Sequence, residues 1–216
     1  MLARPWSGRR KVQPKGFEDG GPVMRRIGGA YVHRTAVLHG AIILGERASV
    51  WCNAVLRAEM HEIVIGEGSN IQDHAMIHVG YRTPTIIGRC CSITHHATLH
   101  GCQIHDNVLV GIGATVMDGA EIGANSIVAP HACVTEGTII PENSIVMGVP
   151  AKVTRTRDNF VANRLNAFLY WRNAEGYAAG DERLWSRESF QAEMRSEEAR
   201  LAGLSLECSE RRSSLP

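Results

Sequence analysis

The sequence predicts a mainly β protein: a parallel β-helix folded as a triangular prism, with an α-helix following it. Three observations predict it. Aliphatic residues recur at six-residue steps between Val32 and Val146. Small residues sit two places before many of them. Rings are scarce, at 6% of 216 residues, while glycine is abundant, at 22. A period of six matches neither an amphipathic helix nor a hairpin sheet. It matches a coil of three short strands whose inward residues stack from coil to coil.

The ladder falls into four blocks. Val32, Leu38, Leu44, Val50 and Leu56 form the first. Ile65, Ile71 and Ile77 form the second, and Ile87, Ile93 and Leu99 the third. The fourth runs from Ile104 through Val110, Val116, Ile122, Val128, Val134 and Ile140 to Val146. The breaks between blocks are steps of nine, ten and five, read as loops at one edge of the prism. Gly45, Gly66, Gly88, Gly111 and Gly123 each follow a ladder residue, and glycine there is expected to let the chain turn the corner. A prism filled with Ile, Leu and Val has no room for rings, which accounts for the low aromatic content.

The ladder ends at Gly148-Val149-Pro150-Ala151-Lys152. Residues 158–171 then show helical spacing, with Val161, Leu165, Phe168 and Leu169 on one side and Asp158 as a cap. Residues 181–212 suggest a second helix around Phe190, Met194 and Leu201, polar enough to lie at the surface or in partial disorder. The expected organisation is an N-terminal segment (1–30), partly flexible; a β-helix domain (31–155); a helix packed on the prism (156–180); and a charged extension (181–216).

Charge and composition exclude some function classes. Lys+Arg number 23 against 22 Asp+Glu, so nothing favours nucleic acid or an anionic membrane. No apolar run approaches the roughly 20 residues that span a bilayer. The first 26 residues hold seven basic and two acidic side chains and no hydrophobic stretch of a secretory signal. The six cysteines form no CxxC pair, so reduced thiols in the cytoplasm are expected, most of them small core residues.

Six of the ten histidines lie between His74 and His105. Stacking the coils sorts them. Leu56, Ile77 and Leu99 fall on one side, so the residues after them, Arg57, His78 and His100, also stack. Neighbouring strands lie about 4.8 Å apart. Two nitrogens on one zinc lie roughly 3.4 Å apart, given bond lengths of about 2.0–2.1 Å. Two histidines one coil apart can lean onto one ion. His95 follows Ile93 on the adjacent side and reaches that ion only from a neighbouring subunit, which points to a threefold trimer with a site at each interface. His96 is the alternative to His95. Asp73, two after Ile71, stacks beside His95 as an outer carboxylate. His33, His39, His61, His105 and His131 are expected at the surface, and His74 and His96 to face away from the ion.

These stretches resemble the gamma-class carbonic anhydrase family of hexapeptide-repeat proteins. The resemblance is carried by Leu56-Arg57-Ala58-Glu59, Asn70-Ile71-Gln72-Asp73, Ile77-His78, Thr85-Ile86-Ile87-Gly88, and His95 followed five residues on by His100. It covers roughly residues 31–155 and the helix that follows. It implies a left-handed parallel β-helix assembled as a homotrimer. It also implies a metal held by His78, His95 and His100, with His95 supplied by the neighbour. Arg57 matches an arginine that pairs with an acid across the subunit boundary, and Asp73 matches that partner. Gln72 matches a glutamine beside the metal-activated water, and Tyr170 a tyrosine on the C-terminal helix. The sequence departs from the pattern at Ala58-Glu59, where the family has Gly-Asp, and at Met60. Residues 79–84 hold no acid, where the best-characterised members carry a proton-shuttle glutamate.

The activity implied is reversible hydration of carbon dioxide to bicarbonate, by hydroxide generated at zinc, with iron or cobalt suited to the same ligands. The same scaffold also serves acyltransferases and metal-dependent thioesterases. A non-catalytic zinc-bearing trimeric scaffold is the third reading. Acyl transfer needs no three-histidine set.

Overall fold

The computed structural model describes residues 21–213, with side chains to residue 206. Trp6, the Cys208 side chain, most of the basic N-terminal segment and the last residues lie outside that description.

The chain winds into a parallel β-solenoid of about six turns with three faces, followed by two helices. On the first face Val32, Val50, Ile71, Ile93, Val110, Val128 and Val146 stack in register. On the second, Leu38, Leu56, Ile77, Leu99, Val116 and Val134 do so. Leu44, Ile65, Ile87, Ile104, Ile122 and Ile140 stack on the third. Every one of these ladder residues is at most 9% exposed. The small residues two places earlier, Ala48, Ala54, Ser69, Ala75, Ala114, Ala120, Ser126, Ala132 and Ser144, are buried beside them. Strand Val55–Ile65 runs through two faces and absorbs the nine-residue step. An antiparallel hairpin closes each end: Met24–Ile27 on Ala30–His33, and Ser144–Gly148 on Ala151–Thr156. Both edges of the first face are thereby covered by antiparallel strands.

The glycines after the ladder residues do a different job from the one expected. Gly45, Gly66, Gly88, Gly111 and Gly123 are not in the left-handed region. They are small because the next coil passes too close: a Cβ on Gly66 would collide with the carbonyl of Gly88. The left-handed turns fall two residues later. Besides glycine they are taken by Arg47, Asn53, His74, Cys90, His96, Asn107, Asn125, His131 and Asn143. Asn and His are among the side chains enriched there. His74 and His96 are thus corner residues, and their rings lie parallel at a centroid distance of 4.9 Å.

Helix α1 (Phe160–Ala178) runs across the first face and continues past the expected end. Its buried side carries Asn163, Ala167, Tyr170, Asn173, Ala174 and Gly176, not the apolar side chains that the spacing favoured. The reason is that α1 docks on solenoid backbone. Asn163 Nδ2 donates to the carbonyls of Asn107 (2.9 Å) and Ser126 (3.2 Å), and Asn159 Nδ2 to that of Asn125 (3.1 Å). Val161, Leu165 and Leu169 line a groove with Met194 of helix α2 (Glu188–Ser213). Asp158 receives the Phe160 N–H at 2.8 Å, just before the first turn, while the N-cap position itself is Asn159. On α2, Phe190 and Leu201 are buried, and Arg172 of α1 bonds Glu193 at 2.7 Å.

The rings gather outside the prism. Trp51 meets Tyr170 and Tyr177 edge-on at 5.5 and 5.3 Å, with Met24 and Tyr31 beside them. Of the five described cysteines, all free, only Cys91 and Cys102 are buried, so fewer are core residues than expected. His33 is also not a surface residue. It is 7% exposed, and its Nδ1 meets Thr35 Oγ1 at 2.9 Å. Among the described residues no helix is long and apolar enough to cross a membrane.

Candidate metal centre

Two imidazoles meet on the second face. Strand register places Arg57, His78 and His100 in one column, each the outward residue after a buried aliphatic one. His78 Nδ1 and His100 Nε2 are 3.0 Å apart. That separation is close to the nitrogen spacing on a tetrahedral ion.

Each ring has a carboxylate on its other nitrogen. His78 Nε2 lies 3.1 Å from Glu59 Oε2, and His100 Nδ1 lies 2.7 Å from Asp118 Oδ2. A carboxylate there keeps the proton on the far nitrogen and leaves the facing lone pair for an ion. Thr85 Oγ1 donates to the His78 carbonyl at 2.5 Å, and Gly101 N to the same carbonyl at 3.1 Å, which ties the two coils below the site.

His95 stands at the corner between the first and second faces. Its Nδ1 is 2.9 Å from Asp73 Oδ2, and its Nε2 is 3.3 Å from the Tyr170 hydroxyl. It shares one feature with the other two, a carboxylate on one nitrogen, while its second nitrogen faces the Tyr170 hydroxyl. Among the described residues of one chain, no three His, Cys, Asp or Glu side chains converge as a metal site. A single chain therefore brings together His78 and His100, and holds His95 apart.

The remaining expected residues fall as follows. Asp73 is bonded to His95, as its stacking suggested. Arg57 and Asp73 do not pair within the chain; the Arg57 guanidinium contacts Glu59, two residues along its own strand. Gln72 is 1% exposed, and its Nε2 donates to Asn70 Oδ1 at 2.9 Å. Tyr170 reaches the site region from α1, and burial, with Asp73 adding to it, pushes its hydroxyl up to about 12. Burial likewise pushes the Cys52 thiol to about 11, reinforced by a hydrogen bond to Asp73.

Asp118 was not anticipated from sequence. Val116 stacks on Leu99, which puts Met117 beyond His100 and Asp118 one step further. The signal was available: Asp118 follows its ladder residue by two, as Asp73 follows Ile71.

Comparison with known proteins bears on the family. The repeat family described as bacterial transferase hexapeptide (six repeats) matches residues 101–136. The chain is 48% identical over 146 residues to a probable carbonic anhydrase of Methanocaldococcus jannaschii, covering 67% of this chain and 92% of that protein. It is 40% identical over 96 residues to gamma carbonic anhydrase 1, mitochondrial, of Arabidopsis thaliana, covering 42% of this chain and 35% of the relative. Among solved structures it resembles a hexapeptide transferase family protein from Anaplasma phagocytophilum, with a TM-score of 0.62 and 32% identity, covering 69% of this chain and 95% of the other. With the coil register, the two facing histidines and a relative matched over nearly its whole length, the chain belongs to the gamma-class carbonic anhydrase-like family of hexapeptide-repeat proteins.

Proposed function

We propose that the chain is a zinc-dependent carbonic anhydrase-like enzyme that hydrates carbon dioxide reversibly to bicarbonate, at a site completed between subunits of a homotrimer. The observation that carries this reading is the pair His78 Nδ1 and His100 Nε2, 3.0 Å apart, each ring held by a carboxylate on its opposite nitrogen. Two neutral imidazoles presented this way fit a zinc ion, and iron or cobalt by the same donor chemistry. When bound, zinc supplies Lewis acidity that makes a water nucleophilic at neutral pH.

The rest is done by the chain. His95, held by Asp73 on one nitrogen, serves a neighbouring copy as the third imidazole. Exposed Arg57 and part-buried Asp73 suit a pair across that boundary, once Arg57 gives up Glu59. Gln72, fixed by Asn70, lends a buried amide beside the reaction space. Tyr170 stays a neutral hydroxyl over the working pH range and can donate a hydrogen bond. No acid stands in residues 79–84, so a proton leaves by another route; of the two carboxylates bonded to the facing histidines, Glu59 is the more exposed and the better placed to pass a proton to solvent.

The test is a carbon dioxide hydration assay on the zinc-loaded assembly under reducing conditions, with metal content measured on the same sample. A rate well above that of free zinc supports the reading, and a rate no better than free zinc overturns it.

Acyl transfer or thioester hydrolysis is the second reading, favoured by the 32% identity to a hexapeptide transferase family protein. Thermal shifts with acyl-CoA compounds, set against bicarbonate and chelator, separate the two. For a purely structural zinc, His100→Ala would dissolve the trimer; for a catalytic one, the trimer persists and activity is lost.

A further inference from the structure

We infer that Asp118 is a positioning residue for His100, and that the short loop of residues 79–84 exists in this chain to hold it there. The inference rests on the metal reading above and deepens it. Three observations support it.

The first is direct. Asp118 Oδ2 lies 2.7 Å from His100 Nδ1, a short charge-assisted contact. Imidazole binds an ion through one nitrogen only when the proton sits on the other. With Asp118 on Nδ1, the free lone pair is on Nε2, the nitrogen that faces His78 at 3.0 Å. His78 is arranged in the opposite sense, with Glu59 on Nε2 and Nδ1 facing inward. The two carboxylates therefore select different ring nitrogens, and this opposition lets histidines on parallel strands converge.

The second concerns space. A Cβ on Gly80 or on Gly101 would strike Asp118 Oδ1. Gly101 also takes a positive φ of 54°. Both glycines leave room for the carboxylate, one from the loop and one from the strand end after His100.

The third concerns the loop itself. Gly80 N donates to the Thr83 carbonyl at 2.9 Å, closing a tight turn, and Thr83 Oγ1 lies 3.5 Å from Asp118 Oδ1. The turn sets a small hydroxyl and a bare backbone against Asp118. A loop without an acid thus contributes by walling in an acid from a later coil.

The test uses the full-length chain in its native assembly, stripped of metal and titrated with zinc and with cobalt(II), whose absorption bands report ligand geometry. Asp118→Ala is expected to weaken zinc binding by about 10- to 100-fold and to change the cobalt spectrum. Asp118→Asn keeps an acceptor for the Nδ1 proton and recovers part of that loss. Gly80→Ala, which leaves every charge in place, should also weaken binding by displacing the carboxylate. Circular dichroism checks that each variant is folded, and Asp118→Asn and Gly80→Ala still decide the matter if Asp118→Ala is not. Wild-type zinc affinity and an unchanged cobalt spectrum in the folded variants overturn the role of Asp118. If wild type binds zinc no more tightly than His100→Ala, the metal reading beneath it fails instead, and the inference falls with it.

Discussion

His78 Nδ1 and His100 Nε2 face each other across 3.0 Å on adjacent coils. Uncharged, they share at most one proton; with an ion between them, both lone pairs are used. The separation is set by the solenoid, since His78 and His100 are in register on paired strands. An ion at this place needs little movement of either coil.

His78→Ala removes a ligand outright. Zinc affinity is expected to fall by more than the roughly 100-fold that loss of an outer partner brings, and hydration activity with it. Glu59→Gln removes only the partner on Nε2 and should cost no more than about 10- to 100-fold. Zinc titration of both variants checks the order, and the reverse order would remove His78 from the ligand set.

Metal removal should leave the solenoid standing. Its core is a column of Ile, Val and Leu that is almost wholly buried within one chain, and none of the histidines proposed to hold the ion belongs to it. Chelation is expected to abolish activity while the far-ultraviolet circular dichroism keeps its β signature. Loss of that signature on chelation would make the metal a folding element of each protomer.

The ladder was legible because a six-residue step leaves no competing periodicity. Leu44, Val50 and Leu56 and their successors could be assigned to faces by counting. The stacked column of Arg57, His78 and His100 followed from the same count. What escaped was set by contacts between coils rather than by spacing. Gly66 looks like a turn glycine in sequence, yet it is required by the backbone of Gly88 passing over it. The apolar stripe of α1 pointed at α2, because the prism offers that helix carbonyl groups, which Asn163 can bond and leucine cannot. Asp118 lies two after Val116, a spacing open to counting, but the count does not show that its carboxylate meets His100. Arg57 bonds Glu59, two residues along its own strand and so on the same face, a choice of rotamer that spacing permits but does not single out.

Two glycines separate space from backbone conformation. Gly66 has an ordinary φ but no room, whereas Gly137 has φ of 64° and nothing within 4 Å of a Cβ. Gly137→Asn should cost little, under about 1 kcal/mol, because Asn tolerates the left-handed region. Gly66→Asn forces neighbouring coils apart and should cost about 1–3 kcal/mol or more. Denaturant unfolding of both variants at equal protein concentration compares them, and equal losses would refute the assignment.

His33 makes stability depend on pH. Burial, with Arg34 adding to it, holds its imidazole below the usual 6.5, and the opposing pull of Asp73 is smaller. The unfolded chain therefore takes up a proton first as pH falls below about 6.5. The contribution of neutral His33 is present above that value and is lost as pH falls through the folded value. Relative to His33→Asn, wild type should lose stability between pH 7.5 and pH 5. A constant difference between the two proteins over that range would show that His33 does not titrate with unfolding.

Tyr170 offers the cleanest separation of chemistry from packing. Its ring meets Trp51 at 5.5 Å and Trp185 at 5.7 Å, while its hydroxyl lies 3.3 Å from His95 Nε2. With its hydroxyl pushed up to about 12, it stays neutral well past pH 9, so its only polar contribution there is a hydrogen bond. Tyr170→Phe removes that bond and keeps the ring. Its stability cost should be about 0.5–1.5 kcal/mol, the usual worth of one hydrogen bond. Zinc content should be unchanged, since no ligand is lost, while kcat falls about tenfold or less if the hydroxyl reaches the reaction space, about 1.4 kcal/mol of barrier. Tyr170→Ala also loses the aromatic contacts and should cost about 3–5 kcal/mol, on the scale of a buried aromatic truncation. Hydration kinetics with wild-type kcat in Tyr170→Phe, at full zinc loading, would confine this residue to packing.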